Sequence, residues 1–279
     1  MPGVIDIWVN LLGRDDARRF LDQDQNRRIE EFFGSDVSSG TGAEETIALM
    51  DSLGVSAGVL TGAVSSGTEE MLEVAGRFPG RFTVAALVDQ ATQPTNNVRR
   101  IRRLGEHPGF AMVRVAPLVE QHPINAPLYY PVYAACEEMG LPVAINVGVP
   151  GPLVRSRCQD PVLLEDVLID FPDLVVIGAH MGHPYEGLLI QYMMKWPNLY
   201  LSTTAYSAKY MDPALVRFMD SSRGIEKVLY GSDHPFLPMP KALEAARALP
   251  LSEPAKAAFL GGTAERLLSA RGTGGPPRS

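Results

Sequence analysis

Cysteine is nearly missing from this chain. Two copies, Cys136 and Cys158, are too few for a disulfide framework, which points to a reducing, cytoplasmic setting. Cys136 falls in an apolar helical stretch and reads as core. The sequence does not open on a basic region followed by an apolar core, so no secretory signal peptide is expected. No apolar run approaches membrane-spanning length, and no membrane contact is expected. A Lys/Arg-rich stripe is missing too. With 25 Lys and Arg against 32 Asp and Glu, the net charge is -7, so no nucleic-acid partner is expected. No Gly-x-Gly-x-x-Gly or phosphate-loop motif follows any candidate strand, which argues against a nucleotide site. There is no internal repeat beyond an alternation of strand and helix patterns.

What is present is an ordinary globular mix. The 279 residues are 46% hydrophobic and 20% charged, with 26 glycines, enough for one large α/β domain or two small ones. Eight apolar runs read as strands, at 4–9, 55–61, 82–88, 109–115, 142–148, 175–179, 199–202 and 228–231. Runs without alternation are strands covered on both faces, as in a parallel sheet. Helical pattern follows each, over 14–31, 43–53, 68–78, 95–104, 126–139, 160–171, 185–196 and 212–220, with further helices from Lys241, Glu253 and Thr263. Arg99, Arg100, Arg102 and Arg103 form a basic helix face that reads as solvated. The fold class expected is α/β, one (β/α)8 TIM barrel over residues 1–270, with an open doubly wound sheet as the alternative. The Gly/Pro-rich stretch 271–279 is expected to be a disordered tail.

Two strand ends organise the chain: Val175-Val-Ile-Gly-Ala-His180-Met-Gly-His183-Pro184 and Val228-Leu-Tyr-Gly-Ser-Asp233-His234-Pro235. A His or Asp just past such an end sits where α/β barrels place their chemistry. His180 and Asp233 are therefore the leading candidates. Long segments follow strand one (10–42), strand four (116–125) and strand five (149–159), and long loops on that face shape or cover a pocket. Arg114, Arg155 and Arg157 belong to the same face, where a guanidinium fork suits a substrate carboxylate.

Four stretches in this order, at 133–148, 171–184, 197–202 and 228–236, together resemble the amidohydrolase-related (amidohydrolase 2) family. The family includes aromatic-acid and semialdehyde decarboxylases, lactonases and other hydrolases. The resemblance implies a distorted (β/α)8 barrel and a homodimer. Metal-using members place His-x-His at the end of strand one, a His at the end of strand five and an Asp after strand eight as ligands. A His after strand six acts beside the metal-bound water. Here Trp8, Asn10 and Asn146 occupy three of these positions, and only His180 and Asp233 match. An indole cannot coordinate a metal, amide oxygens suit at best a hard cation, and a tight zinc site needs about four good donors. A site rebuilt from His180, His183, Asp233 and His234 is the alternative. The expectation is thus a metal-independent site with no cofactor, zinc or another divalent metal being disfavoured. The resemblance allows this, since some lactonases of the family work without metal.

On this reading Asp233 is the general base toward water, and His180 handles the second proton or polarises a carbonyl. Asn10 and Asn146 supply amide donors to an oxyanion. Trp8 walls a planar substrate, with Tyr206 and Tyr130 as further lining candidates. His183 and His234 bind substrate or shape loops. The expected activity is hydrolysis of a small carboxylated or aromatic lactone, ester or amide. Non-oxidative decarboxylation of an aromatic acid is the alternative, with a non-catalytic binding protein on the same barrel as a third. A cyclisation or hydration by the same pair stays open. Met193, Met194 and Trp196 read as core or as part of a dimer interface.

Overall fold

Each apolar run forms a strand, and the strands pair in chain order. The computed structural model describes residues 3–269. Its strands are β1 (Val4–Val9), β2 (Val55–Ala63), β3 (Phe82–Val88), β4 (Phe110–Val115), β5 (Val143–Asn146), β6 (Val176–Ala179), β7 (Leu199–Ser202) and β8 (Val228–Leu229). Every neighbouring pair from β1 to β8 is parallel. Between β8 and β1 the closure is made by single hydrogen bonds. Ile7 N–H donates to Tyr230 O (3.3 Å), Asp233 N–H to Trp8 O (3.0 Å) and Asn10 N–H to His234 O (2.8 Å). The result is a nearly closed (β/α)8 TIM barrel, as expected. The tail at 271–279 lies outside the described residues.

Apolar residues on both faces of the strands explain the layering. Ile7, Val59, Ala85, Met112, Ala144, Ile177 and Leu229 pack together as one buried cluster, while Val113, Val143, Val176, Leu199 and Val228 join the larger core that includes the helices. Helix boundaries follow cap chemistry. Glu45 reaches back to the Gly42 N–H (3.2 Å) to start helix Ala43–Leu53, and Gly54, at φ 70°, ends it. Asp212 caps helix Pro213–Met219 through the Ala214 N–H (2.6 Å).

Three expected helices differ, the one over 160–171 being a short turn at Pro161–Leu163 followed by helix Leu164–Asp170. The stretch 14–31 is not one helix but Arg14–Leu21, a turn at Asp24–Asn26, and Ile29–Phe33. Buried Asn26 donates to the Phe20 carbonyl (2.9 Å), replacing the helical partner that carbonyl would otherwise need. The helix expected from 126 begins at Tyr130, because Pro131 fits only a first turn. The basic face is paired outward: Arg102 with Glu138 (2.8 Å) and Arg103 with Glu69 (2.6 Å). Cys136, Met193 and Trp196 are buried, whereas Met194 is exposed. Tyr130 hydrogen-bonds Asp170 (2.9 Å), away from the barrel mouth. Among the described residues no helix is long and apolar enough to cross a membrane.

Candidate active site

The end of β1 reads Asp6-Ile7-Trp8-Val9-Asn10, and its polar members tie β1 to the segment after β8. Asp6 is fully buried. It accepts from Trp8 N–H (3.1 Å), Ser232 N–H (2.9 Å) and the Ser232 hydroxyl (2.5 Å). Burial still pushes its carboxyl up to about 6, against those hydrogen bonds and the charge of Arg114. Asn10 Nδ2 donates to Asp233 Oδ1 (2.9 Å) and to His234 O (3.1 Å), which fixes the orientation of the amide.

Asp233 and His180 stand at the ends of β8 and β6. Both have left-handed backbones, φ 71° and 66°, a conformation that costs a non-glycine residue roughly 1 kcal/mol or more. Hydrogen bonds hold them there: Asp233 N–H to Trp8 O (3.0 Å) and His180 N–H to Thr204 Oγ1 (3.0 Å). Burial raises the Asp233 carboxyl to about 7, opposed by Asn10 and Arg114 and helped by Asp6. Burial lowers His180 to about 4, opposed by a hydrogen bond at Thr204 and helped by the Arg114 charge. At neutral pH His180 is therefore uncharged, and Asp233 is divided between its acid and its base. His180 Nδ1 shares a hydrogen bond with Thr204 Oγ1 (3.0 Å), so Nε2 is the ring nitrogen left for a ligand.

Trp8 stands at the centre. Its ring lies 4.7 Å from that of His180, and the Arg114 Cζ is 3.6 Å from its centroid. Arg114 itself is fully buried, donating Nη2–H to Ile7 O (2.6 Å). Burial lowers its pKa to about 9, while Asp233 and Asp6 pull it back up.

Above Trp8 opens a cavity of about 230 Å³. Trp8, Asn10, Thr61, Asn146, Gln159, His180 and Asp233 supply its polar side. Phe20, Phe32, Phe33, Tyr206 and Phe236 form an aromatic wall, with Leu118, Val119 and Val149 beside them. The wall interlocks, Phe20 on Phe236 at 5.0 Å and Phe32 edge-on to Tyr206 at 6.3 Å. No Lys or Arg is among the described residues that line the cavity. Gly148, at φ 87°, lets the strand-five loop touch the Gly182 and His183 backbone, where an added Cβ would sit 2.6 Å away.

The structure brings Trp8, Asn10, Asn146, His180, Asp233 and Tyr206 to one cavity. It leaves the other sequence candidates elsewhere. Arg114 is sealed behind Trp8. His234 is buried outside the lining, its Nδ1 accepting Met239 N–H (3.4 Å) and its pKa lowered to about 4 by burial. His183 is exposed and pairs with Glu186 (2.8 Å). Arg155 and Arg157 are exposed and do not line the cavity. Sequence reasoning missed Asp6, Thr61, Gln159 and, apart from Tyr206, the aromatic wall. For Asp6 a signal existed, a carboxylate inside an otherwise apolar strand.

Comparison with known proteins fits this geometry. The amidohydrolase family's sequence model matches residues 40–269. The chain belongs to that family. Among solved structures it is similar to an uncharacterised TIM-barrel protein of Bordetella bronchiseptica, at 24% identity and TM-score 0.82, covering 96% of this chain and 99% of that one. It is also similar to a dihydroxybenzoic acid decarboxylase of Polaromonas with bound manganese and 2-nitroresorcinol, at 15% identity and TM-score 0.73, covering 97% and 98%. A third is a 5-carboxyvanillate decarboxylase of Novosphingobium aromaticivorans complexed with manganese, at 17% identity and TM-score 0.70, covering 96% of each chain. At these identities the likeness shows the fold.

One expectation is corrected. The absence of a cofactor was inferred from Trp8, Asn10 and Asn146, yet two proteins of this fold hold manganese, which points to a divalent metal. The donors in this chain form a thin set for one. They are the Asp233 carboxylate, the His180 ring, and the amide oxygens of Asn10 and Asn146, of which Asn146 Oδ1 is buried without a hydrogen-bond partner. Among the described residues no group of three or more His, Cys, Asp or Glu is placed to hold a metal. Such a set does not fit a tight centre.

Proposed function

We propose that this amidohydrolase-family protein is a carboxy-lyase that removes CO2 from a small aromatic acid by protonating the ring carbon bearing the carboxylate. The observation that carries the proposal is Asp233, a buried carboxyl raised to about 7 in an aromatic-walled cavity beside an uncharged His180. Kinship supports it, since decarboxylases of aromatic acids share the fold. The aromatic wall and Trp8 suit a planar ring.

Protonated Asp233 gives its proton to the ring carbon, forming a C–H bond. The bond to the carboxylate then breaks, its electron pair returns to the ring, and CO2 leaves. Asp233, left as carboxylate, regains a proton from water. His180 Nε2 and the Asn146 amide hold the substrate carboxylate in line. With no Lys or Arg lining the cavity, the carboxylate's charge is poorly matched in the ground state and disappears as neutral CO2 departs.

The same missing cation favours a second reading, hydrolysis of a neutral lactone or ester with ionised Asp233 as base toward water. The two readings need opposite forms of one group. A lyase loses kcat/KM as pH rises through about 7, because acid Asp233 disappears; a hydrolase gains it over the same range. Measuring CO2 release from a panel of hydroxybenzoic acids, and ring opening of aryl lactones, between pH 5 and 9 separates them. CO2 release with a falling alkaline limb is the expected result. Lactone opening with a rising limb overturns the lyase in favour of the hydrolase, and turnover of neither class leaves a binding protein. A homodimer and a cytoplasmic location belong to the same proposal, the first read by light scattering.

A further inference from the structure

We propose that Arg114 is a positioning residue: its guanidinium clamps the Trp8 indole from behind and keeps a fixed positive charge beneath the cavity without touching what binds there. The sequence placed Arg114 with the substrate-binding arginines; the fold gives it a different task. On β4 it pairs in register with Leu87 of β3 and Ala144 of β5, and it is the only buried Lys or Arg among the described residues.

A buried guanidinium needs partners for its five N–H groups. Arg114 has one hydrogen-bond acceptor, Ile7 O at 2.6 Å, and its Nε and Nη1 have none. What compensates the charge is the indole face, 3.6 Å from Cζ, with the carboxylates of Asp6 and Asp233 near enough to act on it. An indole is the best aromatic partner for a cation, and the attraction grows when water is excluded.

Trp8 connects the clamp to Asp6, Asp233 and His180. Trp8 N–H donates to Asp6 (3.1 Å), Trp8 O accepts from Asp233 N–H (3.0 Å), and the ring meets His180 at 4.7 Å. The hydrogen bonds to Asp6 and Asp233 are made by the Trp8 backbone, whereas the indole itself packs on His180, so an indole free to tilt would disturb the imidazole directly and would loosen the residue whose backbone anchors Asp233. This role holds whether the reaction above is decarboxylation or hydrolysis.

The chain has two tryptophans, so Trp196→Phe in this 279-residue chain leaves Trp8 as the sole reporter. In that background Arg114→Met, Arg114→Lys and the charge-balanced Arg114→Met/Asp6→Asn are compared by Trp8 emission, near-UV circular dichroism and acrylamide quenching, with thermal unfolding measured separately. We expect the quenching constant to rise about threefold in both Met variants and the near-UV signal to fall, with Lys in between, because an ammonium keeps the charge but loses the flat face. The double variant should regain thermal stability without regaining the Trp8 signature. If any folded Met variant keeps the parent's quenching and near-UV spectrum, the clamp is refuted. If only Arg114→Lys folds, an unchanged Trp8 signal refutes it and a raised quenching constant supports it.

Discussion

Beneath Trp8 and above it lie two buried carboxylates in sharply different company. Asp6, below, takes three hydrogen bonds from Trp8 and Ser232. Asp233, at the mouth, takes a side-chain hydrogen bond from Asn10 and borders the cavity. Both are raised by burial and both feel Arg114, yet only Asp233 opens onto the cavity. The difference teaches how one barrel separates a strut from a reagent. Donors aimed at Asp6 hold its charge in place and lock β1 to the segment after β8. At Asp233 fewer donors leave a proton free to move within the physiological range.

The comparison breaks most directly at the two carboxylates. Asp233→Asn should lower activity by about a thousandfold or more, with thermal unfolding nearly unchanged. Asp6→Ala should cost about 3 kcal/mol in urea unfolding, because it leaves buried donors unpaired, while the folded fraction keeps most of its activity. An active Asp233→Asn protein would reverse the assignment. A smaller effect tests how thin the donor set of the mouth is. Asn146→Asp adds a carboxylate to the lining that holds Asp233 and should bind manganese about tenfold more tightly than the parent, since affinity follows ligand charge; manganese paramagnetic resonance reads this, and unchanged affinity would show that the lining takes up no cation. The smallest effect is expected outside the lining. Arg155→Ala and Arg157→Ala should each change KM by less than about twofold, and a larger rise would bring those side chains over the mouth.

Much of the fold was legible in the sequence, because strands covered on both faces announce themselves as unbroken apolar runs. β1, β3 and β7 have the boundaries their runs suggested. The strand ends that carry His180 and Asp233 were legible for the same reason, polar groups stopping an apolar run. What stayed hidden depends on direction. An apolar run on both faces does not say which residues point into the barrel, so Arg114 could not be told from a mouth residue. The aromatic wall was hidden because Phe20, Phe32 and Phe33 lie on short helical pieces whose break at Asn26 is set by one side-chain hydrogen bond. Gln159 and Thr61 carry no spacing signal. The cofactor expectation failed differently: substituted ligands were read as the loss of a metal, although proteins of the same fold carry one.

The left-handed backbones at His180 and Asp233 carry a consequence for engineering. Glycine takes that conformation without steric cost, so putting it at either position would relax the chain while deleting its chemistry. A hardier but inert scaffold is thus one codon away at each of two places. Natural sequence has declined that bargain at both, and a selection for heat tolerance alone would be drawn toward those same two codons.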